Sequence, residues 1–177
     1  SGGSILFMFE PYNTPDSFKQ FLSRFAVAVG DGEAADIGSF VAPNPTFIQV
    51  KKSNGQLPGH AVTQGFEVLY MPGSTHFGWS VDPASIQLYE NTIPIVDQRI
   101  LASTTISSWA ETDPDSLDFD INNEVGGPLP IAIVLEAVGE LGVGFYDDGE
   151  SLTTTNMVVI GDTDFASNNY FGSANNA

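Results

Sequence analysis

The segment from Met157 to Tyr170 constrains the fold of this chain more than any other. An apolar run over residues 157–160 ends at Gly161, and two carboxylates, Asp162 and Asp164, follow before a group of small polar residues. This order is typical of a buried strand that ends in a loop leading into a helix. In α/β proteins, ligands bind at such carboxyl ends of strands. The segment therefore raises the question of an active or binding site.

Apolar runs predict strands along most of the chain. Residues 4–10 form a continuous apolar run, as expected for a strand that is buried on both faces. Apolar residues then recur at helical spacing from Phe18 to Phe25, which predicts a helix that starts near Pro15. A strand followed by a helix favours a parallel sheet. Further strands or extended stretches are predicted at residues 46–50, 66–71, 86–101, 131–138 and 153–160, and a second helix is predicted after Asp164.

These elements describe one α/β domain over residues 1–177, poor in helices and with long loops. The segment 111–127 is acidic and polar and is therefore predicted to be a surface loop. It does not have the residue spacing of an EF-hand calcium loop. Five apolar strand residues are predicted to lie in the core: Ile5, Phe7, Phe9, Val158 and Ile160.

The charge balance excludes several classes of partner. The chain has 5 Lys and Arg against 22 Asp and Glu, which gives a formal net charge of −17. Such a surface repels nucleic-acid phosphates and anionic lipid headgroups. The chain contains no cysteine, which excludes disulfides, thiolate nucleophiles and Cys-ligated zinc.

Nothing in the sequence resembles a membrane span or a signal peptide. The chain begins with Ser1-Gly2-Gly3 and enters a strand-like run almost at once. We therefore expect it to be a fragment of a longer protein, whose anchor and signals lie outside these residues.

The pair Asp162 and Asp164 has two interpretations. Paired carboxylates at a strand end can bind Mg²⁺, as they do at phosphoryl-transfer sites. Alternatively, Asp162 braces the loop, while Asp164 or Ser167 caps the following helix through backbone N–H groups. We favour the second interpretation, because no Lys, His or third acid accompanies the pair in the sequence.

His60 and His76 are the only histidines of the chain, and their spacing is not that of a usual metal site. A Ser/His/Asp triad can be assembled on paper from Ser74 or Ser103 with either histidine and Asp162. The sequence lacks the G-x-S-x-G elbow that would support such a triad. We therefore predict structural roles for both histidines, no catalytic residues, no metal and no cofactor.

The last motif also carries a family resemblance. Residues 158–168, VVIGDTDFASN, resemble the VVVGDSDFASN motif of the auxiliary components of uncharacterised ABC transport systems, a group linked to gliding motility. Weaker matches follow the order of that family at residues 2–3, 25–36, 59–66, 70–74, 103–111 and 128–132. Ala61 stands where the family usually has Pro, so the turn at that point is expected to be looser.

The resemblance implies a fold and a cellular context. The fold would be α/β, with a mostly parallel flavodoxin-like or glutamine-amidotransferase-like sheet that lacks catalytic residues. The chain would be a C-terminal piece of a longer soluble region on the periplasmic or extracellular face of the cytoplasmic membrane. A helix outside the chain would anchor it, and its partners would be an ABC permease and an ATPase.

Two functions are therefore expected from the sequence. The first is a non-catalytic auxiliary or interaction domain of an ABC transport system. The alternative is a divalent-cation-dependent hydrolase or phosphotransferase that uses Asp162 and Asp164. The ligand or partner surface is predicted to include Asp162, Asp164, Ser167, Asn168, His60 and His76.

Overall fold

The computed structural model describes residues 3–79, 95–138 and 154–167. The strands are β1 Ser4–Met8, β2 Val27–Val29, β3 Glu33–Asp36, β4 Phe40–Val41, β5 Asn44–Lys51, β6 Val68–Pro72, β7 Phe77–Trp79, β8 Ile95–Ser103, β9 Ser108–Glu111, β10 Pro130–Val138 and β11 Thr154–Ile160. The α-helix α1 spans Asp16–Ser23, and short 3₁₀ turns lie at Lys52–Asn54, Ala61–Thr63 and Asp164–Ala166.

The largest sheet has four strands in the order β1-β11-β10-β8. β1 runs parallel to β11, with Leu6 opposite Val158 and Met8 opposite Ile160. β10 is antiparallel to both of its neighbours, β11 and β8. Smaller antiparallel sheets join β2 with β7, β3 with β9, and β4 with β5 and β6.

The predicted fold class is therefore wrong. The sheets are mixed or antiparallel and the fold is mostly β, unlike a mostly parallel flavodoxin-like or glutamine-amidotransferase-like α/β fold. Each further parallel pair would need a long crossover, usually an α-helix. Across the described ranges, α1 is the only α-helix, and β1 and β11 form the only parallel pair. An apolar run indicates a strand but does not indicate the direction of its neighbour.

One face of the large sheet packs against α1, β2 and β7. Met157 and Val159 of β11 are fully buried there with Leu22 and Phe25, in one apolar cluster. The predicted amphipathic helix is confirmed in position, since α1 starts one residue after Pro15. Phe25 lies just beyond the end of α1 and packs in the same apolar cluster as Leu22. The chain turns at the next residue, Ala26, which has a positive φ of 58°.

The opposite face of the sheet is only partly covered. β1 is an edge strand, and Leu6 and Met8 on this face are 58% and 40% exposed. The prediction that β1 is buried on both faces is therefore wrong. Of the five predicted core residues, Phe9 is buried, whereas the other four are partly buried: Ile5, Phe7, Val158 and Ile160.

The second predicted helix is much shorter in the described residues. After β11 the chain forms the 3₁₀ turn Asp164–Ala166, and Ser167 that follows it is extended. The predicted stretch before Ile95 lies outside the described residues. The acidic loop is shorter than predicted, because Glu111 belongs to β9 and is buried. None of the helices in the described ranges has the length and apolar character that a membrane span requires.

Truncation of a side chain should lower the free energy of unfolding by different amounts on the two faces of the large sheet. We expect Met157→Ala to lower the free energy of unfolding by about 2–5 kcal/mol, because a buried Met leaves a cavity. We expect Leu6→Ala to cost less than about 1 kcal/mol, since this side chain is 58% exposed. Urea unfolding of both variants measures the difference. Equal costs would show that the partly covered face is packed as tightly as the core.

Candidate functional site

The parallel pairing of β1 and β11 brings two acidic residues together at the carboxyl ends of these strands. Glu10 follows β1, and Asp162 follows β11, each two residues beyond the paired Met8 and Ile160. Glu10 Oε1 accepts a hydrogen bond of 2.9 Å from the backbone N–H of Thr163 and another from its hydroxyl. The acidic strand ends, defined here as Glu10 and residues 161–167, therefore form one connected unit.

Asp162 braces the loop that follows β11. Its Oδ1 accepts hydrogen bonds from the backbone N–H groups of Asp164, at 2.6 Å, and Phe165, at 3.2 Å. The side chain is fully buried, and its second oxygen, Oδ2, has no hydrogen-bond partner in the described part of the chain. The loop-bracing interpretation of Asp162 thus matches its geometry, whereas Asp164 lies in the first turn without capping it.

The environment of Asp162 favours its neutral form. The pKa of Asp162 is raised from 3.8 to about 8, chiefly by burial; the two N–H donors lower it, and the charges of Glu10 and Asp164 contribute to the rise. Burial also raises the pKa of Glu33 on β3, which Thr46 opposes through a hydrogen bond and Glu10 reinforces by charge repulsion. Both carboxyls are therefore shifted toward the neutral form, chiefly by burial.

A second segment, residues 74–76, lies against the acidic strand ends. The Thr75 N–H donates to the Gly161 carbonyl oxygen at 2.7 Å. A Cβ at position 161 would overlap the Thr75 carbonyl oxygen, which is why glycine is required between β11 and Asp162. Ser74 is fully buried, and its hydroxyl has no partner among the described residues, so it forms no Ser–His hydrogen bond there.

Both histidines make local contacts that shape the backbone. The His76 ring lies directly over Gly30, where a Cβ would overlap it, and burial lowers the pKa of His76 although Asp31 opposes the shift. His60 Nδ1 accepts the Val62 N–H at 3.1 Å and so caps the turn Ala61–Thr63. His60 thus has a structural contact, whereas Nδ1 of the buried His76 has no hydrogen-bond partner among the described residues, and a structural role for His76 stays a prediction.

The predicted site residues lie in two places. Asp162, Asp164 and Ser167 share one loop, and the Thr75–Gly161 hydrogen bond brings His76 near it. His60 lies apart from this loop, beside an open cleft of about 390 Å³. Asn168 lies outside the described residues. Within the described ranges, no three His, Cys, Asp or Glu side chains are arranged to hold a metal ion.

An apolar cleft adjoins the acidic strand ends on the partly covered face of the sheet. Its volume is about 200 Å³, and its lining is apolar except for Thr63. The lining residues include Val62, Phe66, Leu69, Val158, Ile160 and Phe165. Val62 and Phe66 are also exposed, as are the neighbouring Leu6 and Met8 of β1. The cleft and its apolar rim therefore form a continuous feature of this face.

Sequence reasoning missed Glu10 and the cleft for different reasons. Glu10 was detectable, since it ends an apolar strand run in the same way as Asp162. Only the parallel register shows that the two acids are neighbours. Val62 stands in a turn context and Phe66 begins a predicted strand, and neither pattern indicates a cleft, because the opposite wall comes from β8, β10 and β11.

The neutral state of Asp162 predicts a specific pH dependence. Because its folded-state pKa is raised from 3.8 to about 8, its contribution to stability is fully present below about pH 4 and is lost as pH rises through about 8. Asp162→Asn cannot ionise and keeps an oxygen acceptor. We expect its melting temperature, relative to wild type, to rise by more than about 4 °C between pH 5 and pH 8.5.

Asp164→Asn is the matched control, since it removes one acidic residue from the same loop. Thermal melts of wild type and both variants over this pH range measure the effect. If the two variants respond to pH in the same way, the general repulsion of a highly acidic chain explains the result, and the neutral state of Asp162 does not.

Comparisons with known proteins bear on the fold only. No protein-family model and no curated protein matches the chain. Among solved structures, the chain is similar to the mmIFT52 N-terminal domain, with a TM-score of 0.57 and 11% sequence identity. The match covers 99% of this chain and 60% of that one, so the chain spans less than two thirds of its length. At this identity the likeness concerns the fold and carries no function.

Proposed function

We propose that this chain is a non-catalytic interaction domain of an ABC transport system, on the extracytoplasmic face of the membrane. The motif at residues 158–168 supports the link to auxiliary components of such systems, including those associated with gliding motility. The partners would be the permease and, through it, the ATPase. A segment outside residues 1–177 would hold the domain at the membrane.

The observation that carries this proposal is the apolar cleft with its exposed rim. Exposed apolar surfaces bordered by polar residues mark binding sites in soluble proteins. The cleft holds about 200 Å³, below the roughly 300–1,000 Å³ typical of small-molecule pockets. This size suits one or two anchoring apolar side chains of a partner better than a complete substrate.

The titratable side chains of the predicted site make local structural contacts, and none of them lines the apolar cleft. Asp162 is buried and braces its own loop, His60 caps a turn, and the His76 ring lies over Gly30. A catalytic acid or base must reach a substrate proton within about 3 Å. The described residues therefore offer an apolar docking site whose rigid end is set by the Asp162 loop.

Rim variants test the proposal. We expect Val62→Asp and Leu6→Asp each to reduce recovery of the permease at least about tenfold, because a charge in an apolar contact costs more than about 1.4 kcal/mol. The full-length protein is extracted in detergent, and the ABC components that co-purify with it are quantified. Ile37→Asp is the matched control, because Ile37 is as exposed as Leu6 but does not line the cleft.

Melting temperatures of the variants establish that each remains folded. Recovery that is reduced equally by Ile37→Asp would point to general repulsion by the added charge. Failure of the wild-type protein to recover any ABC component would refute the proposed partner, and unchanged recovery in both rim variants would refute the cleft as the contact.

One observation favours a second candidate function, a divalent-cation-dependent hydrolase or phosphotransferase. The unpartnered Oδ2 of buried Asp162 is an acceptor that a cation would satisfy, in exchange for the proton. Asp164 would then be the second ligand. Against it, the described residues supply no third metal-binding side chain to the pair.

Thermal shifts with Mg²⁺, Ca²⁺ and Mn²⁺ separate the two functions. A bound cation at about 100 times its Kd would stabilise the fold by about 2.7 kcal/mol, and Asp162→Asn would abolish this gain. Asp16→Asn, which removes an acid from α1, is the control. No stabilisation, or one that survives Asp162→Asn, would exclude the cation-dependent function.

A further inference from the structure

A second exposed apolar surface lies on the loop that follows β9, and none of its residues lines the cleft. The acidic loop, defined here as residues 113–125, exposes four apolar side chains: Leu117, Phe119, Ile121 and Val125. Ile121 is 78% exposed and Val125 57%. Single exposed apolar residues are ordinary, but four within one short loop form a surface that calls for an explanation.

The acidic loop is held in one conformation by its own carboxylates. Glu124 accepts the N–H groups of Thr112, at 3.0 Å, and Asp120, at 2.8 Å. Asp120 in turn accepts the Asn122 N–H at 2.9 Å. These bonds close the loop on itself and hold its backbone in place. The apolar side chains are therefore presented to solvent by an ordered backbone.

Contacts with β9 attach the loop to the folded domain. The Ala110 N–H donates to the Val125 carbonyl oxygen at 2.9 Å, and Trp109 forms a bridge with Gly126. The centroids of the Phe119 and Trp109 rings lie 6.2 Å apart. Phe119, one of the four exposed apolar side chains, therefore packs against the buried Trp109 of β9. Because the loop is ordered before binding, a partner would not have to pay the entropy of ordering it.

The charge of the loop defines the chemistry of its partner. Residues 113–124 contain five acids and no Lys or Arg. The ion pairs of the described residues lie elsewhere, at Lys19–Asp31, Lys52–Glu67 and Arg99–Asp97. Anionic membranes and nucleic acids would be repelled, and so would a second copy of a chain with net charge −17. A basic segment with apolar side chains complements both features.

We propose that the acidic loop is a preformed docking surface for a basic amphipathic peptide segment of a partner protein. Leu117, Ile121 and Val125 would contact the apolar face of the segment, and the surrounding carboxylates would pair with its Lys or Arg residues. This surface is independent of the apolar cleft, so the inference does not depend on the proposed transport function.

A synthetic Lys/Leu peptide of about four helical turns, with its Leu residues on one face, is a suitable probe. Fluorescence anisotropy measures its binding to the folded protein. We expect Leu117→Ser combined with Ile121→Ser to weaken binding at least about tenfold, since a few anchoring side chains carry most of the binding energy of an interface. Ile37→Ser, which removes a similarly exposed apolar side chain that belongs to neither the cleft rim nor the acidic loop, should leave binding unchanged.

Charge variants test the electrostatic part. Asp115→Asn with Asp118→Asn should weaken binding and reduce its salt dependence, whereas Asp16→Asn should do neither. Equal losses from Ile37→Ser and from the Leu117/Ile121 variant would show non-specific attraction to an acidic chain and refute the proposal. Binding to neutral phosphatidylcholine vesicles that needs Leu117 and Ile121, without peptide binding, would identify a membrane surface instead and equally overturn it.

Discussion

The parallel pairing of β1 with β11 is the interaction on which the rest of the structure depends. It joins residues from the two ends of the described chain and places α1, which follows β1, over the apolar face that Met157 and Val159 contribute. The same pairing sets Glu10 beside the loop that begins at Asp162. Without it, the sheet would lose an edge strand, the helix would lose its position, and the acidic strand ends would separate.

The sequence predicted the positions of the long strands better than their arrangement. β10, β11 and α1 were foreseen because long apolar runs and helical spacing are strong local signals. β3 and β9, with sequences EAAD and SWAE, were missed because short strands of small and acidic residues carry no such signal. Strand direction was predicted wrongly because it depends on contacts between distant residues, which local patterns do not contain. Asp162 was identified correctly as a loop brace, whereas its neighbour Glu10 required the register.

Two surfaces of different chemistry distinguish this domain. The cleft is apolar and bounded by a rigid strand end, while the acidic loop mixes exposed apolar side chains with carboxylates. Burial shifts the pKa values of Asp162 and of the half-buried Glu33 toward their neutral forms. Buried and exposed carboxylates both hold backbone in place: Asp162 accepts N–H groups of its own loop, and the exposed Glu124 accepts those of Thr112 and Asp120.

The position of β11 also has a consequence for biosynthesis. In the order β1-β11-β10-β8, β11 lies between β1 and β10, so the strand translated after both of them must insert between them. Leu6 has to wait for Val158, roughly 150 residues later, before it gains its partner. During translation the backbone edge of β1 stays without its partner strand until β11 leaves the ribosome. Completion of the sheet is therefore a late event in folding.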